Sequence, residues 1–392
     1  LNAIRVRRSS DDTEQDIGFD ANGDLDTTAL EAFVNEDVDI YTSDFSSGID
    51  GLEEIKVTST SEDGISDGTT SKDDVLKSVL TGGSDTHRVR RSDVFDQSST
   101  YDVSFDYFIP SVRPDGITAQ TIDSLVVRSG VFADGTFTFS VVGSWESETI
   151  ENWTPTLYHT LAFYCAVGGN ISSIDADGDV FYLKNIVVTQ TTADGAVTTW
   201  YDQSGNGNDA TNATDSEQPL VVSGGSVTQL NSRAAINGDG ANDVLSLGTG
   251  LDLSSGYSIF QVIQVPSANS YGITISSSDV SNFSRTMMFD GLYRFSADGT
   301  NYDNYGSSGN KGAQYLWSSV VDGSGNLDTN RNGSAYGSQI TGVTGTFELD
   351  IIGTNIGVNS FEFFQELIVF NSDQSTNRTG IEGNINTYFD IV

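Results

Sequence analysis

Turn chemistry recurs along this chain too often for long helices to form. Asn22-Gly23, Asp134-Gly135, Asp177-Gly178, Asp194-Gly195, Asn237-Gly238 and Asp298-Gly299 each offer a position that accepts positive φ. Between such signals lie short runs of β-branched and aromatic residues at period two. They include YDVSFDYFI at 101–109, TFTFSVV at 136–142, LAFYCAV at 161–167, VFYLKNIVV at 180–188, YSIFQVIQV at 257–265 and FEFFQELIVF at 361–370. Alternation of this length, punctuated this densely, predicts an all-β fold of antiparallel sandwiches or jelly rolls. Helical periodicity is clear near the C-terminus, where Ile381, Ile385, Tyr388 and Phe389 fall on one face, and a second short helix is expected over 27–33.

Charge narrows the partners. The 18 Lys and Arg stand against 55 Asp and Glu, a net charge of −37. Such a chain repels phosphate backbones and anionic headgroups, so nucleic acid is excluded as a partner and membrane insertion is not expected. No apolar run is long enough to span a bilayer. One cysteine, Cys165, rules out an intramolecular disulfide framework, and two histidines, His87 and His159, rule out a His-rich metal site. The chain opens on Leu1 with no apolar signal region, as expected of a fragment or a processed product. The basic residues show an internal echo: RVRRS at 5–9 recurs at 88–92, and these arginines can pair with acidic surfaces of the same chain or of a neighbouring copy.

The segment WYDQSGNGNDAT at 200–211, together with IRVRRSSDDTEQDI at 4–17, resembles a family found among tailed-bacteriophage virion proteins. That family is related to the catalytic domain of fungal-type α-L-arabinofuranosidases. In it the two stretches are separated by a short linker, whereas here most of the first half of the chain intervenes. The resemblance implies a concanavalin A-like sandwich made of residues 1–40 and 191–392, with an inserted module at 52–190. The acidic, Ser/Gly-rich passage at 35–51 reads as a connector. The module resembles carbohydrate-binding jelly rolls through STYDVSFDYFIP at 99–110, FADGTFTFSV at 132–141 and GDVFYLKNIVV at 178–188.

Within the 200–211 segment, Ser204, Gly205, Asn206 and Asn208 supply small or left-handed-tolerant positions, and Asp202 and Asn206 can accept neighbouring N–H groups. A rigid turn anchored by Trp200 and Tyr201 follows, with Asp202, Gln203 and Asn206 as candidates for touching a sugar. A retaining glycosidase needs two carboxyl groups about 5 Å apart. The arabinofuranosidase resemblance places Asp290 near the nucleophile position, but the loop at 353–359 that corresponds to the acid/base position has no carboxylate. The chain is therefore read as a non-enzyme, with Asp290, Glu362 and Glu366 as the carboxylates closest to a catalytic set. No cofactor is expected beyond one structural calcium, for which Asp175, Asp177 and Asp179 are the candidate ligands by analogy with carbohydrate-binding jelly rolls. The run 20–31 has EF-hand-like acids, but Leu25 stands where the sharp turn needs glycine.

Sugar recognition combines aromatic faces with planar polar side chains. Trp145, Trp153 and Tyr158 sit in a polar, loop-like stretch of the inserted module, and Tyr293, Tyr302 and Tyr305 sit amid Asp, Asn and Gly in the outer unit. The resulting expectation is a phage fibre, tail or head-decoration protein at the virion surface or outside the cell. It would assemble with copies of itself and with other virion proteins, and would contact host-surface glycans without catalysis. A secreted or virion-borne glycosidase and a purely architectural protein are the alternatives.

Overall fold

The computed structural model describes residues 1–81, 86–96, 99–129, 134–171, 176–254, 256–264, 271–278, 284–289, 292–297, 303–305, 312–343, 346–353, 361 and 363–391. The fold is all-β, in antiparallel sheets, with two α-helices among the described residues. The chain divides into two compact units, Leu1–Val34 with Asp194–Val392, and Asn35–Ala193.

The 35–193 unit is a two-sheet sandwich. In the six-stranded sheet Trp145–Trp153, Tyr101–Phe108, Val180–Gln190, Val75–Leu80 and Val57–Glu62 run side by side, and Val38–Ser43 also pairs with Val180–Gln190. That last strand falls in the passage expected to be a connector. The five-stranded sheet orders Asp134–Phe139, Ser124–Ser129, Leu161–Ala166, Arg88–Arg91 and Glu53–Ile55. Period-two alternation delivers Val103, Phe105, Phe181, Leu183, Leu125, Val127, Phe163 and Cys165 to one shared core. Phe105 packs within it edge-on to Phe163 at 5.1 Å and to Phe139 at 5.2 Å.

In the other unit the opening strand, Asn2–Arg8, pairs with Glu14–Gly18 on one side and with Gly195–Trp200 on the other. Val6 stands opposite Val197, and both are fully buried. Farther along, Tyr257–Gln264 is flanked by Gln314–Val321 and Phe363–Phe370, and Val244–Leu253 pairs with Phe347–Gly353. The helix Thr27–Val34 starts where Asp26 accepts the Ala29 N–H at 2.9 Å, an N-cap bond. The helix Arg378–Phe389 buries Ile385 and Phe389 against Phe260, Val262, Leu316 and Val320. Tyr388, assigned above to the apolar face, is 39% exposed, while Glu382 is 1% exposed and is held by Ser318 Oγ at 2.5 Å and Arg378 at 2.6 Å. A buried carboxylate is tolerated there because both its oxygens have donors.

The arginine echo resolves within each unit. Arg5 pairs with Asp16 at 2.7 Å, Arg7 with Asp12 at 2.6 Å, Arg8 with Asp11 at 2.9 Å and Arg90 with Glu53 at 2.7 Å.

Phe163→Ala should open a cavity costing about 3–5 kcal/mol. Cys165, 1% exposed with burial pushing its thiol well above the ordinary value, reports on the same core. The wild-type thiol should stay unlabelled by a thiol reagent at pH 8, and labelling in increasing urea should shift to clearly lower concentration in the variant.

Candidate binding cleft

The 200–211 segment is fastened to the opening strands. Tyr201 N–H donates to the Ala3 carbonyl at 3.0 Å, Tyr201 Oη donates to Asp16 Oδ1 at 2.7 Å, and Gln203 Nε2 donates to the Asn2 carbonyl at 2.8 Å. Asp16 therefore receives both Arg5 and Tyr201, which hold its carboxyl below the ordinary value. Asp202 locks the turn from inside. It accepts Ser204 N–H and Oγ at 2.8 Å each and Asn208 N–H at 3.0 Å, while its own N–H donates to Asp209 Oδ1 at 2.8 Å. Burial opposes ionisation of Asp202, but the donors of Asn208 and Ser204 outweigh it and keep the carboxyl lowered. Gly205 and Gly207 carry φ of 83° and 75°, so the tight reversal needs residues without Cβ.

This turn forms one wall of a cleft of about 780 Å³. Trp200, Tyr201, Asp202, Gln203, Ser204, Asn206 and Asn208 all line it. Leu247, Leu251, Leu349, Leu367 and Val369 add apolar surface, and Asp252, Glu366 and Asn371 add polar groups. Two irregularities shape it. Ser246 pairs with Ile351 and Leu251 with Leu349, so the intervening residues 247–250 bulge out of register with the neighbouring strand. A second bulge lies at Gln365, because Val262 pairs with Glu366 and Ile263 with Phe364. Gln365 Nε2 donates to the carbonyls of Leu230 at 3.1 Å and Arg233 at 3.0 Å, fixing the bulge that aims the next residue. Glu366 is half-buried, and its carboxyl makes no hydrogen bond or ion pair with the described residues. Burial raises its carboxyl to about 7.

The other candidates are dispersed. The stretch carrying Trp145 and Trp153 is a strand and not a loop, and these residues stand at its opposite ends, roughly 26 Å apart at strand rise. A bulge at Asn152, φ 54°, lies between Ile150, opposite Val103, and Trp153, opposite Tyr101. As a result the two tryptophans emerge on opposite faces. Trp145 packs on Phe108 at 5.4 Å under Lys72, with its Nε1 donating to the Ile65 carbonyl, while Trp153 is 5% exposed between Phe95 and Phe137. The two do not share a sugar platform. Tyr158 is half-buried, and its carbonyl accepts Ser129 Oγ at 2.6 Å. Tyr293 is fully buried, stacked on Trp317 at 4.5 Å, with Gln261 Nε2 donating to its Oη at 3.0 Å and burial raising the phenol to about 12. Its ring is part of the core and presents no face to a sugar. Tyr302, Asp290, Glu362 and Asp175 lie outside the described residues, as does the side chain of Tyr305.

Asp179 is a structural pin. Fully buried, it accepts Arg113 Nε at 2.7 Å and the N–H groups of Thr121 and Ile122 at 2.6 and 2.8 Å, so both its oxygens are engaged without a cation. Asp177 lies in an exposed turn, and among the described residues no group of three His, Cys, Asp or Glu could hold a metal ion. From sequence, Leu251, Leu367 and Asp252 look like ordinary strand positions. The available hint for Glu366 is a carboxylate in an otherwise apolar run.

No protein-family model matches the chain, and no curated protein matches it. Among solved structures it is similar to the binding domain of botulinum neurotoxin serotype G, with a TM-score of 0.31 and 11% identity over 40% of this chain and 44% of that one. The chain thus spans less than half of that domain. It is also similar to the CBM22-1-CBM22-2 tandem domain of Xyn10C from Paenibacillus barcinonensis, at 0.29 and 13% over 86% and 98%. Domains LG4-5 of the mouse laminin α1 chain give 0.29 and 11% over 74% and 89%. Likeness this low carries no inference about ligands.

A carboxyl whose folded value stands above its unfolded one favours the folded state only while protonated. For Glu366 stability is therefore withdrawn as pH rises from the ordinary 4.5 towards 7. Urea denaturation of Glu366→Gln and wild type should agree near pH 4, diverge in favour of the variant up to pH 7 and run parallel above it.

Proposed function

We propose that this protein is a structural adhesion protein of a tailed-phage particle that holds surface glycan in the cleft walled by the 200–211 turn, without catalysing a reaction on it. The observation that carries this reading is the composition of the cleft. Aromatic rings at Trp200 and Tyr201, amides at Gln203, Asn206, Asn208 and Asn371, and an apolar floor line one space. Pyranose and furanose rings present both C–H patches and hydroxyls, and a cleft of this kind meets both needs. The resemblance of 200–211 to phage virion proteins supports placement at the particle surface, where assembly with other copies and other virion proteins follows. The acidic surface keeps assembled particles apart by self-repulsion.

One observation favours a second reading, a glycosidase. Asp202, held ionised, and Glu366, raised to about 7, line the same cleft, and divergent carboxyls are what acid/base hydrolysis employs. Asp202 is poorly suited to such a role. Ser204 and Asn208 already occupy its oxygens, and a nucleophile or base that gave them up would unlock the turn. Binding is therefore the better-supported reading.

A glycan array probed with the full chain tests it. Binding to at least one oligosaccharide is expected, weakened tenfold or more by Asn206→Arg, an exposed substitution that fills the cleft mouth. An array without signal would count against the reading. Release of product from an aryl α-L-arabinofuranoside by wild type, abolished in Glu366→Gln, would favour the enzyme instead.

A further inference from the structure

Trp200, Gln203 and Glu366 line a second, smaller cavity of about 270 Å³ as well as the cleft. The small cavity is built from both ends of the chain. Tyr388 Oη, on the C-terminal helix, donates to Asp24 Oδ1 at 2.6 Å, and Arg233 pairs with the other Asp24 oxygen. The Arg233 guanidinium lies 4.3 Å from the centre of the Tyr388 ring, and its Nε donates to the Tyr388 carbonyl at 3.2 Å. Asp24 is itself fixed, its N–H donating to Asp20 Oδ1 at 2.9 Å and its carbonyl accepting the Asp20 N–H at 2.7 Å. Asp24, Arg233 and Tyr388 are thus tied to one another by the chain's own hydrogen bonds and ion pair.

Two features single this cavity out. Among the described residues, Phe19 and Tyr388 are the two aromatic side chains left exposed, each at 39%, and both line it. Its one lining cation is taken up, Arg233 by Asp24, and the Asp20 carboxylate is occupied by the N–H groups of Asn22 and Asp24. An anionic ligand would find no free counter-charge among the described residues that line it. Glu366 remains, a carboxyl without a partner among the described residues, able when protonated to donate as well as accept. Exposed aromatic rings, a lining whose one cation is already paired and a carboxyl without a partner among the described residues suit an uncharged polyol, and the volume lies below the range of drug-sized pockets, so it suits one ring.

We propose that this small cavity binds a single neutral sugar residue, with Phe19 and Tyr388 supplying apolar contact and Glu366 hydrogen-bonding a hydroxyl. The inference deepens the glycan-binding reading and rests on it, since Glu366 and Trp200 form the wall shared with the cleft.

Saturation-transfer NMR on the full chain tests it, with L-arabinose, D-xylose, D-glucose, D-galactose and D-mannose as probes. Transfer to at least one sugar is expected. It should fall at least fivefold in Phe19→Ala and in Glu366→Leu, be largely restored in Glu366→Gln, and persist in Asn206→Arg. Absence of transfer to all five sugars, or transfer undiminished in both Phe19→Ala and Glu366→Leu, would overturn the proposal. The two readings fail separately. Oligosaccharide binding on the array without monosaccharide transfer sinks the small site alone. Monosaccharide transfer in Asn206→Arg without array binding sinks the cleft alone, and silence in both experiments sinks both.

Discussion

The ladder between Asn2–Arg8 and Gly195–Trp200 is the contact on which the rest of the Leu1–Val34 and Asp194–Val392 unit depends. It brings residues far apart in sequence into register, and the loop-closure cost of doing so is offset by buried pairs such as Val6 with Val197. The same ladder delivers Trp200 to its end, where the chain reverses. Because Ala3 and Asn2 supply the carbonyls that Tyr201 and Gln203 bond, the opening strand also sets the orientation of the cleft wall. Phe19 and Asp24, which border the small cavity, follow directly from the strand paired on its other side. A chain without its first strand would lose Ala3 and Ile4 from the lining of the small cavity and the carbonyls that fasten the cleft wall, along with a strand of the sheet.

The excess of acid is put to work locally. Asp44 accepts the N–H of Ser46, Asp67 those of Thr69 and Thr70, Asp115 those of Ile117 and Thr118, and Asp322 those of Ser324 and Asn326. Each is a side chain closing its own turn, and each carboxyl is held below its ordinary value by those donors. This explains why Asp-rich runs that look like calcium loops need not bind calcium. Asp20 within 20–31 and Asp179 within 175–179 direct their oxygens at backbone N–H groups or at arginine, the donors a cation would have to displace.

The class of fold was legible because alternation and turn chemistry are local. The run 101–109 contains a strand for the reason it looked like one: Val103 and Phe105 face a core while Asp102 and Ser104 do not. Facing was legible only where the pleat runs unbroken. Trp145 and Trp153 lie eight residues apart, a spacing that an ideal strand places on one face, and the left-handed Asn152 between them reverses it. Tyr293 has polar neighbours in sequence yet lies in the core, because Trp317 and Gln261, which stack on it and bond it, come from other strands. No reading of local composition contains that information.

The same reasoning explains why the candidate sites lie at irregular positions. In an unbroken strand Glu366 would share a face with the fully buried Phe364, so its carboxyl would need buried partners, as Glu382 has, or a shift of register. The bulge at Gln365 breaks that choice, and Gln365 holds it by bonding carbonyls of the neighbouring segment. The carboxyl that follows is left half-buried, lining both cavities and without a partner among the described residues, an arrangement that costs stability at neutral pH. A costly arrangement held by a dedicated set of hydrogen bonds needs a physical reason to persist, and a ligand hydroxyl that takes up the unpaired carboxyl supplies one.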